Sequence, residues 1–198
     1  MNYLAHLFLS RNYHNDILGN FLADMMTIDE IRQWPDSLKH GIQMHRHIDE
    51  FTDTHPRNKD MKRILRKYFR KYAGVALDLY YDYILYQNWS LYSDVSFTVF
   101  SQAQYTAILS NKAFIPDRLQ YTVERMIRHN FLFKFTTLNG QSNAFAGLDH
   151  RAEFHTGFSS AMEVLQRYEN DLHKSFNDFF PAMIQSVDEF QGRENPER

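Results

Sequence analysis

Residues 35–53 read PDSLKHGIQMHRHIDEFTD, and this stretch carries the pattern that decides the fold. Its apolar residues recur at intervals of three and four positions, which is the spacing of one face of an α-helix. The same spacing continues along almost the whole chain, and convincing β-hairpin signals between alternating runs are absent. The sequence therefore predicts an all-α fold.

The same pattern predicts one helical bundle rather than several domains. The chain has 198 residues, of which 43% are hydrophobic and 16% aromatic, enough for one core of ordinary size. We expect a single domain over residues 1–190 and a polar tail over 191–198 that frays. The predicted helices span about residues 14–27, 35–53, 59–72, 74–92, 94–110, 117–135 and 155–180, with a weaker one near 140–152.

Several classes of site and location are excluded or disfavoured by what the sequence lacks. It has no cysteine, so a disulfide framework, a thiolate metal site and a cysteine nucleophile are impossible. It has no apolar run of about 18 residues and no signal peptide, so we expect a cytoplasmic protein without a membrane partner. The net charge of −2 gives no general attraction to nucleic acid. A glycine-rich phosphate loop and a Gly-x-Ser-x-Gly elbow are also missing.

Polar residues lie on the apolar face of the helix predicted over 35–53. At about 100° per residue, His45 and Asp49 point in the same direction as Leu38 and Ile42. They are also one turn apart, so both side chains can reach one ion. His47 falls on the opposite, solvated face.

Two other predicted helices carry inward carboxylates. Asp78 and Asp82 share an arc with apolar residues of their helix, and Asp24 lies close to Ile17 with Asn20 beside it. Each acid alone would most often be a salt-bridged or capping residue, and an inward histidine alone is most often a hydrogen-bonded core residue. Together with His6, however, the cluster calls for a compensating charge, because a buried carboxylate is costly unless it is paired or bound to a cation. The pattern predicts a metal site for Mn²⁺, Fe²⁺, Mg²⁺ or Zn²⁺.

These residues lie in motifs that resemble one known family. The motifs are MNYLAHL at 1–7, GNFLAD at 19–24, HRHID at 45–49 followed by Thr52 and Asp53, and Leu77-Asp78 with Asp82 and Asn88-Trp89. In this order they are similar to the acyl carrier protein phosphodiesterase family. Weaker similarity continues through Tyr168 and the segment around Phe180, Pro181 and Met183. The chain departs from the family at Tyr83, where members often have histidine, and at His47, where they often have arginine.

The resemblance implies an HD-domain-like, all-helical metal hydrolase. Its reaction would release 4′-phosphopantetheine from a serine of holo acyl carrier protein, with Mn²⁺ as the usual cofactor and Mg²⁺ or Fe²⁺ as alternatives. We expect Asp24, His45, Asp49 and Asp82 to bind the metal. We assign His6, Arg46 and Asp78 to catalysis, with Arg46 contacting the phosphate or forming an ordinary surface ion pair.

A basic segment over residues 62–71, KRILRKYFRK, contains six cations and no acid. On a helical wheel the cations occupy one face, which is either merely solvated or a binding surface for nucleic acid, an anionic membrane or an acidic protein. Since acyl carrier proteins are acidic, the resemblance favours a protein partner. The expected contact residues are Arg63, Arg66, Lys67 and Arg70.

Two other functions remain open from the sequence. The same metal cluster would serve an HD-type nucleotide phosphohydrolase. Alternatively, the chain is a non-catalytic binder of acyl carrier protein whose inward acids are only salt-bridged.

Overall fold

A computed structural model describes the backbone of residues 1–194 and the side chains of residues 1–192. This part of the chain contains helices and no β-strand, so the all-α prediction is confirmed. The α-helices are α1 (Tyr3–Ser10), α2 (Ile17–Leu22), α3 (Ile28–Gln33), α4 (Asp36–Thr54), α5 (Pro56–Phe69), α6 (Ala73–Gln87), α7 (Trp89–Tyr92), α8 (Phe97–Ser110), α9 (Asp117–Arg128), α10 (Leu138–Arg151), α11 (Ala161–Arg167) and α12 (Glu169–Glu194). Short 3₁₀ turns cover Ala23–Met25, Arg70–Tyr72, Lys112–Phe114, Phe131–Phe135 and Phe158–Ser160.

Helix α6 lies at the centre of the bundle. It packs against α1, α5, α10 and α12, and buried residues point from it in every direction. A helix that is apolar all round is stable only when neighbours cover all its sides. Its two fully buried tyrosines use their hydroxyl groups, since Tyr80 donates to the carbonyl of Ala161 over 2.7 Å and Tyr81 donates to Asn58 Oδ1 over 2.9 Å.

Helix α1 has no counterpart among the predicted helices. Its residues from Leu4 to Ser10 are all buried, so the segment lacks the alternation between an apolar and a polar face that identifies a surface helix. Helix α3 was also missed. Its start carries a capping box, in which the Thr27 side chain accepts from the backbone N–H of Glu30 and the Glu30 side chain accepts from the N–H of Thr27.

Several predicted boundaries differ from the observed ones, and two of them concern segments singled out above. Helix α5 ends at Phe69 because Arg70 adopts a φ of 50°, which an α-helix does not allow. At the other end of the chain, α12 continues to Glu194, so the polar tail predicted from Gln191 starts inside a helix. Gln191 is buried and donates to Asp16 Oδ2 over 2.6 Å. The rest of that tail, residues 195–198, lies outside the described residues. Within residues 1–194, no helix combines the length and the apolar composition needed to span a membrane.

Helices α2 and α4 touch through two glycines. A Cβ atom on Gly41 would lie within 3.0 Å of backbone atoms of Asp16, Gly19 and Asn20, and a Cβ on Gly19 would meet the backbone of Leu38 and Gly41 equally closely. Only hydrogen at both positions permits this approach. The contact matters for the site described below, because α2 carries Asn20 and α4 carries His45.

We therefore expect Gly41→Ala to destabilise the protein by at least about 2 kcal/mol, since backbone atoms cannot yield as a flexible side chain can. Urea unfolding followed by circular dichroism measures the change. Gly192→Ala is the matched control, because nothing lies within 4 Å of a Cβ at that helical position. Equal stability of the two variants would show that α2 and α4 can separate at no cost.

Candidate metal and substrate site

Two helices bring two histidines and a carboxylate together. His6 comes from α1, while His45 and Asp49 come from consecutive turns of α4. The imidazole rings stack with their centroids 4.1 Å apart. Asp49 Oδ1 lies 3.3 Å from His6 Nε2, and Asp49 Oδ2 lies 3.1 Å from His45 Nε2. The structure thus brings His45 and Asp49 together as the sequence predicts, and His6 lies beside them.

Asn20 of α2 sets the orientation of both rings. Its Nδ2 donates to the carbonyl of His6 over 2.8 Å, so its Oδ1 faces His6 Nδ1, 2.7 Å away, and accepts a hydrogen bond from it. The carbonyl of Asn20 accepts from His45 Nδ1 over 2.9 Å. Both Nδ1 atoms therefore carry hydrogen. In the neutral form of each ring, the Nε2 atom then presents a lone pair to the space beside Asp49.

The ionisable groups of the cluster perturb one another strongly. Burial lowers the pKa of His6, which favours the neutral ring. Burial alone would also lower the pKa of His45, but hydrogen bonds to Asp24 and Asp49 outweigh it and raise that pKa to about 9. Burial would raise the pKa of Asp49, yet the two histidines and the Met1 ammonium hold it well below its usual range. The cluster therefore holds a proton or another cation at neutral pH.

A divalent cation fits this arrangement. One ligand atom from each of His6, His45 and Asp49 lies within 4.8 Å of the other two. His6 Nε2 is buried and makes no hydrogen bond of good geometry within the described part of the chain, although Asp49 Oδ1 lies 3.3 Å away, so a cation between these two atoms would use both. Imidazole nitrogens with their Nδ1–H groups already bonded and a carboxylate are the donor set expected around Mn²⁺, Fe²⁺ or Zn²⁺.

Asp24 and Asp78 lie at the edge of the cluster. Asp24 Oδ1 is 3.2 Å from His45 Nε2, but its side chain is 82% exposed. It is exposed because α2 gives way to the 3₁₀ turn at Ala23, which changes the rotation per residue that the helical wheel assumes. Asp78 Oδ1 lies 3.4 Å from the Met1 ammonium.

Asp82 lies outside the group of ligand atoms. Its side chain is fully buried, and its two oxygens accept hydrogen bonds from the backbone N–H groups of Leu4 and Ala5 over 2.9 and 3.0 Å. These are donors of the first turn of α1, which have no partner within that helix. Burial raises the pKa of Asp82 to about 7 although the two backbone bonds lower it. The structure thus gives the predicted metal ligand Asp82 a different task, which is to anchor α1.

A cavity of about 690 Å³ opens beside the cluster. His6, His45, Asp24 and Asp78 are among the residues that line it. The 131–135 turn and α10 also contribute to the lining, with apolar residues and two cations, Lys134 and Arg151. No sequence motif indicates these residues, because they are distant in the chain from the histidines and carboxylates. Arg46 is exposed and is not among the residues that line the cavity.

Comparison with known proteins identifies the family of this chain. The sequence model of the family described as acyl carrier protein phosphodiesterase matches residues 1–183. The chain belongs to the acyl carrier protein phosphodiesterase family. It is 28% identical to the acyl carrier protein phosphodiesterase of Serratia proteamaculans, over 96% of this chain and all of that one. The protein of the same name from Photorhabdus laumondii is 26% identical, over 95% of this chain and 96% of the relative.

No solved structure matches the chain significantly. The HD-domain-like relationship therefore stays a prediction. The two positions at which the chain departs from the family pattern lie away from the ligand atoms. His47 Nε2 lies 2.9 Å from the hydroxyl oxygen of Ser186 on α12, and its ring stacks on Phe190. Tyr83 is half-buried, and burial raises its pKa.

The anchoring role of Asp82 predicts a loss of stability in Asp82→Asn. The amide offers an N–H group where the carboxylate accepted one, so a backbone donor of α1 is left unpaired at a cost of about 1–3 kcal/mol. Urea unfolding of this variant and of Asp94→Asn, an exposed control, measures the difference. A free energy of unfolding equal to that of the unchanged protein would contradict the anchor.

Proposed function

We propose that this protein is a metal-dependent phosphodiesterase that hydrolyses holo acyl carrier protein to apo acyl carrier protein and 4′-phosphopantetheine. The observation that carries the proposal is the convergence of His6 Nε2, His45 Nε2 and Asp49, with both rings oriented by Asn20. Membership of the acyl carrier protein phosphodiesterase family supports the substrate.

We assign His6, His45 and Asp49 as the protein ligands of the metal, with Asp24 available at the rim. This set moves His6 from catalysis to metal binding and leaves Asp82 out, since both Asp82 oxygens already accept backbone hydrogen bonds. Mn²⁺ suits two imidazoles and a carboxylate, and Mg²⁺ or Fe²⁺ are alternatives. A bound cation would lower the pKa of a water molecule and polarise a phosphoryl oxygen.

The residues around the cluster have distinct tasks in this reaction. Asn20 holds both imidazoles in the tautomer whose Nε2 is free. Asp78 lines the cavity, and its buried Oδ1 makes no hydrogen bond among the described residues, although the Met1 ammonium lies 3.4 Å away. We assign Asp78 to accept a proton from the attacking water. Water adds to phosphorus, the bond from phosphorus to the serine oxygen breaks, and the serine oxygen takes up a proton. Because Arg46 lies outside the cavity, we assign it no contact with the phosphate.

We expect purified protein with Mn²⁺ to convert holo acyl carrier protein to the apo form. In ¹⁸O-water the label enters the released phosphate group and not the serine, because water attacks phosphorus. Mass spectrometry of both products reads the result. β-Elimination would leave dehydroalanine on the carrier. If acyl carrier protein stayed unmodified after incubation with several divalent metals, the result would contradict the proposal and favour a nucleotide substrate.

The same assay tests the ligand set. Asp49→Asn should lose bound metal and reduce turnover at least about 100-fold, since an amide is a weaker ligand than a carboxylate for a hard cation. Asp94→Asn, at an exposed position, should keep both. Normal metal content in Asp49→Asn would show that Asp49 is not a metal ligand.

We also propose that the exposed cations of α5 bind the acidic carrier protein. Arg66 and Lys67 are exposed, and Arg63 pairs only with its neighbour Asp60, over 2.9 Å. The surface is smaller than the helical wheel suggests. Lys62 is largely buried and pairs with Asp53, and Arg70 projects from the turn after the helix. The surface lies near the cavity, because Val75 follows that turn closely and lines the cavity.

Reversing this charge in Arg66→Glu with Lys67→Glu should weaken carrier binding about tenfold at low salt and leave cleavage of a small phosphodiester unchanged. Raising the salt concentration should reduce the difference, because exposed charges are screened within about 10 Å. Surface plasmon resonance measures the affinity. Arg125→Glu with Arg128→Glu on α9 is the matched control, and equal weakening there would show a general charge effect without a docking surface.

A further inference from the structure

Two cations line the same cavity as the histidines. Lys134 lies in the 131–135 turn, and Arg151 is the last residue of α10. Both are exposed, and in the described part of the chain neither has a carboxylate within ion-pair distance. Arg151 Nε donates to the carbonyl of Gly147 over 3.1 Å, which fixes the side chain but leaves its charge unpaired.

Acidic side chains border the same cavity. Asp24 and Asp78 line it, and Asp49 belongs to the neighbouring histidine cluster. An anionic ligand in the cavity would be repelled by these carboxylates unless positive charge compensated it.

A further donor is unused in the same cavity. Asn2 lines it, and Asn2 Nδ2 is buried without a hydrogen-bond partner in the described part of the chain. A buried donor left unpaired is costly, so it indicates a missing acceptor. Much of the remaining lining is apolar. It includes Val75, Leu79, Phe135, Ala144 and Leu148.

We infer that Lys134 and Arg151 bind the phosphate of the substrate in the cavity that the histidine cluster also lines, and that the apolar residues of the lining receive the uncharged pantetheine arm. A phosphodiester carries one negative charge on two non-bridging oxygens. A guanidinium and an ammonium can each donate charge-assisted hydrogen bonds to these oxygens. The arm, with its branched dimethyl carbon and two amides, suits an apolar wall with an amide donor such as Asn2. This inference rests on the proposed function for the identity of the ligand.

Comparison of two ligands isolates the phosphate contact. Isothermal titration calorimetry measures the dissociation constants of 4′-phosphopantetheine and of pantetheine, which lacks the phosphate, in buffer with Mn²⁺ and in buffer with a chelator. In the unchanged protein we expect the phosphorylated ligand to bind more tightly in both buffers. In Lys134→Gln with Arg151→Gln, this preference should fall about tenfold in the chelator buffer, while the affinity for pantetheine is retained.

The controls separate charge from folding and from general electrostatics. Lys174→Gln with Arg125→Gln removes the same two charges from exposed positions that do not line the cavity, and it should keep the preference for the phosphorylated ligand. Arg151→Lys keeps the charge without the planar pair of donors and should lose less than Arg151→Gln. Circular dichroism verifies that each variant is folded.

Three results would overturn the inference. These are an unchanged preference in the double variant, an equal loss of affinity for both ligands, and no preference for phosphate in the unchanged protein. Its failure differs from failure of the proposed function. If holo acyl carrier protein is cleaved but the preference does not change, only the phosphate site is wrong. If the carrier is not cleaved but the preference falls as expected, the phosphate site stands and hydrolysis does not.

Discussion

The carboxylate of Asp82 connects the centre of the bundle to the site. It projects from α6 and accepts the backbone N–H groups of Leu4 and Ala5, at the start of α1. These donors would otherwise be buried without partners, so the cost of burying the carboxylate is offset by the groups it satisfies. The position of His6, one residue after Ala5, depends on this anchor. The buried side chain of Asp82 thereby fixes the position of His6, which we propose as a metal ligand.

Asn20 plays the corresponding part for α2 and α4. One residue satisfies both imidazoles, His6 through its side chain and His45 through its backbone carbonyl. This requires α2 to lie against α4 at backbone contact distance, which Gly19 and Gly41 permit. The histidines can then stack without mutual hydrogen bonding, and their Nε2 atoms point to the same carboxylate. The contact between α2 and α4 therefore determines both how these helices pack and how the two histidines are oriented.

The cavity is lined by groups of both charges. Its carboxylates and imidazoles suit a cation, and Lys134 and Arg151 suit an anion. A phosphodiester that contacted both a bound cation and these two side chains would have its charge compensated by each. This lining agrees with the proposed reaction, whose substrate joins an anionic phosphate to a long uncharged arm.

The sequence alone determined the helical class, the family and the pairing of His45 with Asp49. These follow from periodicity and from residues one turn apart, which are local properties of an α-helix. It could not identify α1, because a fully buried short helix has no polar face to show a period. Only the tertiary structure decided that Asp82 anchors α1, that Asp24 is exposed and that Lys134 and Arg151 line the same cavity as the histidines. Each of these depends on which helices pack against each other. A helical wheel predicts the direction in which a side chain points, but it does not predict which residues that side chain contacts.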